Sequence, residues 1–151
     1  MNIEYIRANP DKIDWYEISH DRLPEEFIRE FHDKLDLSVV CSYNILSEQM
    51  IRDFYDSVDW MHICREYKLS ENLMRDFKDI IIYSLISYHQ ELSEEFILEF
   101  QHHLSWYWIS IKQKLSKDFI LANIDKLHIN LLLTRDDLDD DIIEYIALLT
   151  K

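Results

Sequence analysis

Apolar and polar positions recur along this chain with a constant step of 23 residues. After the first marker leucine, Phe27, Ile28, Phe31 and Leu35 have the spacing of a buried helix face, and a second short apolar run completes the step. An unbroken period of this length is typical of tandem structural repeats. The marker leucines are Leu23, Leu46, Leu69, Leu92, Leu115 and Leu138.

Each 23-residue segment predicts two short helices. The first begins one residue after the leucine in most segments, where a serine side chain can cap the helix and the next residues are acidic. The second begins near Asp36 or Asp59, which are also capping residues, and runs for about two turns. The capping serines are Ser47, Ser70, Ser93 and Ser116.

The repeat predicts an all-α fold, a solenoid of tandem 23-residue two-helix repeats, because helices this short are marginal alone and bury their apolar faces by stacking. Either handedness is compatible with the pattern. We expect one domain over residues 1–151. Its parts are a partial segment at 1–22, segments at 23–45, 46–68, 69–91, 92–114 and 115–137, and a C-terminal cap at 138–151.

Two further positions recur with the same step. A phenylalanine row, Phe31, Phe54, Phe77 and Phe100, predicts a continuous core, and Asn123 interrupts it as though the repeat were fraying. A second slot holds only small side chains, which indicates close helix packing. Because adjacent helices lie about 8–10 Å apart, we expect the two cysteines in that slot to stay reduced. The slot residues are Ser19, Cys41, Cys64, Ser87 and Ser110.

The amino-acid composition excludes several classes of function. The 151 residues include no glycine, which excludes glycine-built phosphate loops and dinucleotide fingerprints. The net charge of −14 argues against direct binding to nucleic acid or to an anionic membrane. The N-terminus contains no apolar leader, and the apolar stretch at 80–88 is too short to span a bilayer. We therefore expect a cytoplasmic protein.

The reactive side chains form no recognisable catalytic constellation. The seven histidines fall at different phases of the repeat, and no pair has the spacing that zinc needs on one helix face. The recurrent serines are accounted for by capping and packing rather than by nucleophilic catalysis. We therefore expect no enzyme activity, no cofactor and no metal site.

The carboxylates are arranged in rows on one flank of the first helices. An arginine row lies beside them, with acids four residues before and after each arginine, so the flank keeps a negative charge. Two interpretations stay open: a solvated surface that maintains solubility, or a binding face for a basic partner. The candidate partner-binding residues are Glu30, Asp33, Asp53, Asp56, Asp76, Asp79 and Glu99.

The segment consensus is Leu-Ser-Glu-Glu-Phe-Ile, followed by Trp-x-x-Ile-Ser, and residues 92–110 match it best. It resembles the short helical repeats found in proteins of giant DNA viruses, phages and AT-rich bacteria, over about residues 13–138. The resemblance implies an intracellular protein of viral or phage type. The resemblance identifies no active-site residues in this chain.

The function hypothesis is an acidic protein-binding module. One form of it is a phage or viral inhibitor, of anti-CRISPR or anti-restriction type, that mimics nucleic acid in the host cytoplasm. The alternative is an inert scaffold or assembly module with no inhibitory role. The expected partner is a basic protein, self-association stays open, and Tyr107 and Trp108 are a second contact surface if the acids are not used.

Overall fold

The computed structural model describes residues 2–149, whose regular elements are all helices with no β-strand among them, so the all-α prediction is confirmed. Residues 1, 150 and 151, at the ends of the expected partial segment and cap, lie outside the described part. The helices are α1 (Ile3–Ala8), a 3₁₀ turn (Pro10–Lys12), α2 (Trp15–Ser19), α3 (Glu25–Glu30), α4 (Leu37–Tyr43), α5 (Glu48–Asp53), α6 (Trp60–Glu66), α7 (Glu71–Asp76), α8 (Tyr83–His89), α9 (Glu94–Glu99), α10 (Trp106–Lys112), α11 (Lys117–Ala122), α12 (Ile129–Leu132) and α13 (Asp140–Leu149).

The chain forms two compact units, unit 1 (Met1–Ile63) and unit 2 (Cys64–Lys151). From α3 to α12 the gaps between successive helices alternate between six and four residues. In residues 2–149 no helix has both the length and the apolar character that crossing a bilayer requires.

Side-chain caps fix where the helices begin. In α5, α7, α9 and α11 the serine before the helix accepts a hydrogen bond from the backbone N–H three residues later, as predicted. Asp36 and Asp59 cap α4 and α6 in the same way. Phe31 and its equivalents form the C-caps of the first helices, which therefore contain only six residues each.

The apolar core of each unit lies along the middle of its helices. In unit 1 the most buried side chains of the first helices are Phe27, Ile28, Met50 and Ile51, with Val40 and Ile63 from the second helices. In unit 2 the corresponding side chains are Leu73, Met74, Phe96, Ile97, Phe119 and Ile120, with Ile86, Ile109 and Leu132.

The predicted phenylalanine core is wrong in detail. Phe31, Phe54 and Phe77 are half-buried, and only Phe100 of that row is buried. Each residue of the row, Phe100 included, is a C-cap, where the helix ends, so helical spacing alone does not fix how deeply its side chain is buried. Asn123 is not a frayed position either. It is buried, and its amide donates to Phe119 O at 3.0 Å.

The small-residue slot has a hydrogen-bonding role that the sequence did not reveal. All five slot residues are buried, as predicted. In unit 2 the Ser87 hydroxyl donates to Tyr83 O at 2.6 Å and accepts from the backbone N–H of Ser105 at 2.9 Å. Ser110 makes the equivalent pair of bonds, so each serine ties one second helix to the start of the next.

Both cysteines are thiols in this slot, as the sequence predicted. Burial raises the pKa of the Cys41 thiol, although hydrogen bonding from the Asp59 backbone acts in the opposite direction. A buried thiol with a raised pKa reacts slowly, because the thiolate is the nucleophile. The slot is therefore structural at this position.

Buried amide side chains join successive segments within unit 2. Gln113 accepts from the backbone N–H of Leu92 at 2.9 Å and donates to Ser87 O and Gln90 O at 3.1 and 2.8 Å. Gln90 makes the same three bonds one segment earlier, to Leu69, Cys64 and Tyr67. Each glutamine therefore hydrogen-bonds three backbone groups at the segment junction.

Candidate protein-interaction surface

Three acidic residues at the C-terminal ends of α3, α5 and α9 are ion-paired with arginines of the preceding segment. In unit 1 the Arg7 guanidinium donates to both carboxylate oxygens of Glu30 at 2.6 Å, and Arg29 donates to Asp53 at 2.5 Å. In unit 2, Arg75 donates to Glu99 at 2.8 Å. These acids thus act across the segment junction, whereas the sequence suggested pairs within one helix.

A within-helix pair lies beside the Arg75–Glu99 pair. Arg75 lies 3.4 Å from Glu71, one turn earlier on α7. Exposed ion pairs of this kind contribute about 0.2–1 kcal/mol each to the free energy of unfolding. Their main effect here is therefore to orient the side chains. Asp76 holds the equivalent position to Asp53 and Glu99 and is exposed.

Two of the ion pairs lower the pKa of the acid that takes part in them. The hydrogen bond from Arg7 lowers the pKa of Glu30, and that from Arg29 lowers the pKa of Asp53, with a further contribution from Gln49. The same arrangement around Arg75 raises the pKa of its guanidinium, chiefly through Glu99. The Glu30 and Asp53 carboxylates are therefore charged at neutral pH, and each has one arginine already beside it.

The outer acidic row, Asp33, Asp56 and Asp79, is arranged differently. All three side chains are exposed and lie in the turns after the first helices. Asp33 lies 3.6 Å from the ammonium of its neighbour Lys34, and Asp56 accepts from the hydroxyl of Ser57 at 3.0 Å. The row therefore keeps its negative charge directed at solvent, without arginine pairs in the described part of the chain.

A second set of glutamates is structural, and the sequence analysis missed this role. Glu25 accepts from the backbone N–H of Ser47 at 2.8 Å in unit 1. Glu71 and Glu94 accept in the same way from Ser93 and Ser116 in unit 2. The sequence does contain a pattern that could have indicated this role. A glutamate directly follows most of the capping positions and recurs every 23 residues.

The Glu25 carboxylate should make stability depend on pH. Its hydrogen bonds from Ser47 lower its pKa below the ordinary value of 4.5. A group with a lowered pKa stabilises the fold fully above its unfolded-state pKa and loses that contribution as pH falls through its folded-state value. We expect Glu25→Gln to lower the free energy of unfolding by about 0.5–1.5 kcal/mol at pH 7. The difference from wild type should shrink below pH 4.5.

Urea titrations followed by circular dichroism at several pH values would measure this. The matched control is Glu26→Gln, the exposed neighbour on α3, which should leave the free energy of unfolding at pH 7 unchanged. A Glu25→Gln deficit that stays constant from pH 7 to pH 3 would contradict the assignment.

The second helices carry the other predicted contact residues. Tyr107 is exposed and Trp108 is half-buried, and their rings meet edge to face with centroids 4.8 Å apart. Trp108 also contacts Tyr88 at 4.6 Å, and Tyr107 contacts His128 at 5.4 Å. The two residues are therefore part of a larger aromatic group in unit 2.

The histidines are mostly accounted for by ring contacts. His20 packs against Tyr16 and Tyr43, and His103 stacks on Tyr83 with centroids 4.9 Å apart. Across residues 2–149, histidine, cysteine and carboxylate side chains do not gather in any group of three that could hold a metal ion.

Comparison of the chain with protein-family models, with curated proteins and with solved structures finds no match.

Proposed function

We propose that this chain is a tandem array of 23-residue two-helix segments, stacked as a solenoid, whose acidic first-helix flank binds a basic protein. The observation that carries the proposal is the outer acidic row, because its three aspartates recur at one phase of the repeat and face solvent. Repeat proteins of this kind use extended surfaces to bind other proteins.

The helix spacing supports the stacked array. First helices begin 23 residues apart in both units, at Glu25 and Glu48 and at Glu71, Glu94 and Lys117. Hydrogen bonds such as Gln113 to Gln90 O span the same 23 residues. A bond that repeats at the period of the sequence is what nearest-neighbour stacking requires.

The charge distribution supports a basic partner. Unit 1 has 14 acidic and 6 basic side chains, and unit 2 has 16 and 10, so both are negative. The arginine pairs neutralise part of the inner row and leave the outer row charged. A negative surface of this kind accelerates encounter with a positive one, and the attraction is screened over about 8 Å at physiological ionic strength.

The partner class that fits best is a protein with a basic groove for nucleic acid. Such a groove is lined by lysine and arginine side chains that otherwise neutralise phosphates. Acidic side chains that occupy the groove would compete with nucleic acid for it. An inhibitor of a host nucleic-acid-binding complex, of anti-CRISPR or anti-restriction type, is the specific form of this proposal.

Charge reversal of the outer row tests the proposal. The variant Asp33→Lys, Asp56→Lys, Asp79→Lys keeps the arginine pairs of Glu30, Asp53 and Glu99 intact, so the helices should stay folded. We expect it to lose binding to basic proteins retained from a host lysate on heparin, by at least about tenfold for the tightest of them. Surface plasmon resonance at two salt concentrations measures the loss.

The matched control reverses three exposed acids elsewhere, Asp11, Glu17 and Glu144, and makes the same change in net charge. It should retain most of the binding. Bound wild-type protein should also be displaced by added DNA. If both triple variants bind equally well, or if DNA has no effect on the complex, the acidic flank is not a nucleic-acid-competitive binding face and the scaffold alternative is favoured.

A further inference from the structure

The ion pairs between successive first helices share one arrangement. The arginine is the fifth residue of a first helix, and the acid is the sixth residue of the next first helix. The pairs with this arrangement are Arg7–Glu30, Arg29–Asp53 and Arg75–Glu99. Between α9 and α11 the corresponding residues are Leu98 and Ala122, so two apolar side chains take the place of the ion pair.

α9 and α11 lie side by side in unit 2, because hydrogen bonds join them near both ends. At their N-terminal ends, the Glu94 carboxylate accepts from the backbone N–H of Ser116 at 2.5 Å. In the turns that follow the two helices, the Lys126 ammonium donates to the side chain of Gln101 at 3.0 Å. The fifth and sixth residues of α9 and α11 therefore lie between these two bonds.

This junction exposes apolar surface. Leu98 is 42% exposed, Ala122 is exposed, and Leu121, the fifth residue of α11, is half-buried. We call Leu98, Leu121 and Ala122 the apolar patch. A single exposed leucine is ordinary in a folded protein. Here, however, two leucines hold the position that arginine holds in α1, α3, α5 and α7, so the change from charged to apolar is confined to one part of the flank.

Carboxylates border the apolar patch. Glu95 and Asp118 are exposed and lie three residues before Leu98 and Leu121, so each carboxylate shares a helix face with one leucine. Together α9 and α11 contain four acids and one cation, Lys117. The surface around the patch is therefore negative, and a positively charged partner complements it.

We propose that the apolar patch anchors a basic stretch of the partner protein that carries an apolar side chain among its lysines or arginines. The inference rests on the proposed function, because the patch belongs to the acidic first-helix flank. An apolar contact surrounded by groups that exclude water is the usual form of a binding hot spot. The carboxylates attract the basic stretch, and burial of Leu98 selects stretches that present an apolar side chain.

Two synthetic helical peptides test the proposal. They have the same length and the same lysines, and their uncharged positions hold leucine in one peptide and glutamine in the other. Fluorescence anisotropy should show that the wild-type chain binds the leucine peptide at least about tenfold more tightly. Both affinities should fall as salt rises, because ionic attraction is screened. Their ratio should persist, because burial of apolar surface does not depend on charge.

Leu98→Ala should reduce the affinity for the leucine peptide by about three- to tenfold and leave the affinity for the glutamine peptide unchanged. The matched control is Ile45→Ala in unit 1, which shortens an aliphatic side chain of the same size that is 90% exposed and outside the patch. The double variant Leu98→Arg, Ala122→Glu introduces the residue types of the other junctions without changing the net charge, and it should also lose the preference for leucine. Circular dichroism of each variant checks that the helix content is unchanged.

The outcomes separate this inference from the proposed function. Equal affinity of the wild-type chain for the two peptides overturns the inference, and so do equal effects of Leu98→Ala and Ile45→Ala. Salt-dependent binding of both peptides in those cases still supports the acidic flank as a surface for basic partners. Binding of neither peptide at low salt overturns the proposed function together with the inference.

Discussion

Replacing Phe96 with alanine should lower the free energy of unfolding by about 3–5 kcal/mol, the range for a large aromatic side chain removed from a core. Phe96 is 0% exposed, and its ring contacts Phe100 with centroids 4.6 Å apart. The Arg75 guanidinium lies over the same ring at 5.1 Å. The substitution removes these contacts and leaves a cavity, because close-packed side chains around a deleted ring relax only partly into the space.

Denaturant unfolding followed by circular dichroism measures this loss, which is a large share of a typical total stability of about 5–15 kcal/mol. The control is Leu98→Ala on the same helix, whose exposed side chain should contribute less than about 1 kcal/mol. Phe77→Ala should fall between the two, since that ring is half-buried. A Phe96→Ala cost below about 1 kcal/mol would show that the core lies elsewhere.

Phe96 is more deeply buried than Phe77, and this difference could not be predicted from the sequence. In their own segments Phe96 is equivalent to Phe27 and Phe77 is equivalent to Phe31. The periodicity therefore placed both side chains on the buried face of a helix. A prediction from the period alone assumes that the helix continues through both positions. Here α7 stops after six residues and Phe77 becomes its C-cap, so the 3–4 spacing no longer fixes how deeply that side chain is buried.

The features that could be predicted are those that depend on residues close in sequence. Ser93 caps α9 through a bond to Phe96, three residues later, and Asp36 caps α4 through its neighbours. Capping preferences and helical spacing act over one turn, so the sequence displays them directly. The all-α class followed from the same local signals and from the absence of glycine.

Pairing between segments could not be predicted with the same ease. Arg29 has acids four residues away on both sides in the sequence, yet it binds Asp53, 24 residues on. Which acid pairs with Arg29 depends on how successive helices stack. The alternative exposed ion pairs differ in free energy by less than about 1 kcal/mol, so the sequence does not favour one strongly. The acidic rows were therefore visible in the sequence, but the division into an arginine-paired inner row and a solvent-facing outer row was not.

The buried glutamines are the clearest case of a role concealed by residue type. Glutamine is most often a surface residue, so its recurrence at 90 and 113 attracts no attention in a sequence. In unit 2 the Arg135 side chain donates to Ser110 O at 3.0 Å, a bond equivalent to that of Gln113 with Ser87 O. A donor to this carbonyl is thus retained even where the glutamine is replaced.

Replacing Gln113 with alanine should lower the free energy of unfolding by about 2–4 kcal/mol. The side chain is 3% exposed, and its loss leaves the Leu92 N–H and the carbonyls of Ser87 and Gln90 without their partner. Each buried polar group left unsatisfied costs about 1–3 kcal/mol, which is reduced where water enters the space.

The isosteric change Gln113→Glu separates hydrogen bonding from packing. Glutamate keeps the volume and the acceptor for Leu92, but its carboxylate opposes two carbonyl oxygens and loses both donated bonds. We expect Gln113→Glu to be at least as destabilising as Gln113→Ala at pH 7, and to recover part of its stability in acid, where the protonated carboxyl can donate one bond. Gln101→Ala, at a half-exposed glutamine of the same unit, should cost less than about 1 kcal/mol. If Gln113→Glu matches the wild type at pH 7, the side chain only fills space, and the junction between segments is held by apolar packing alone.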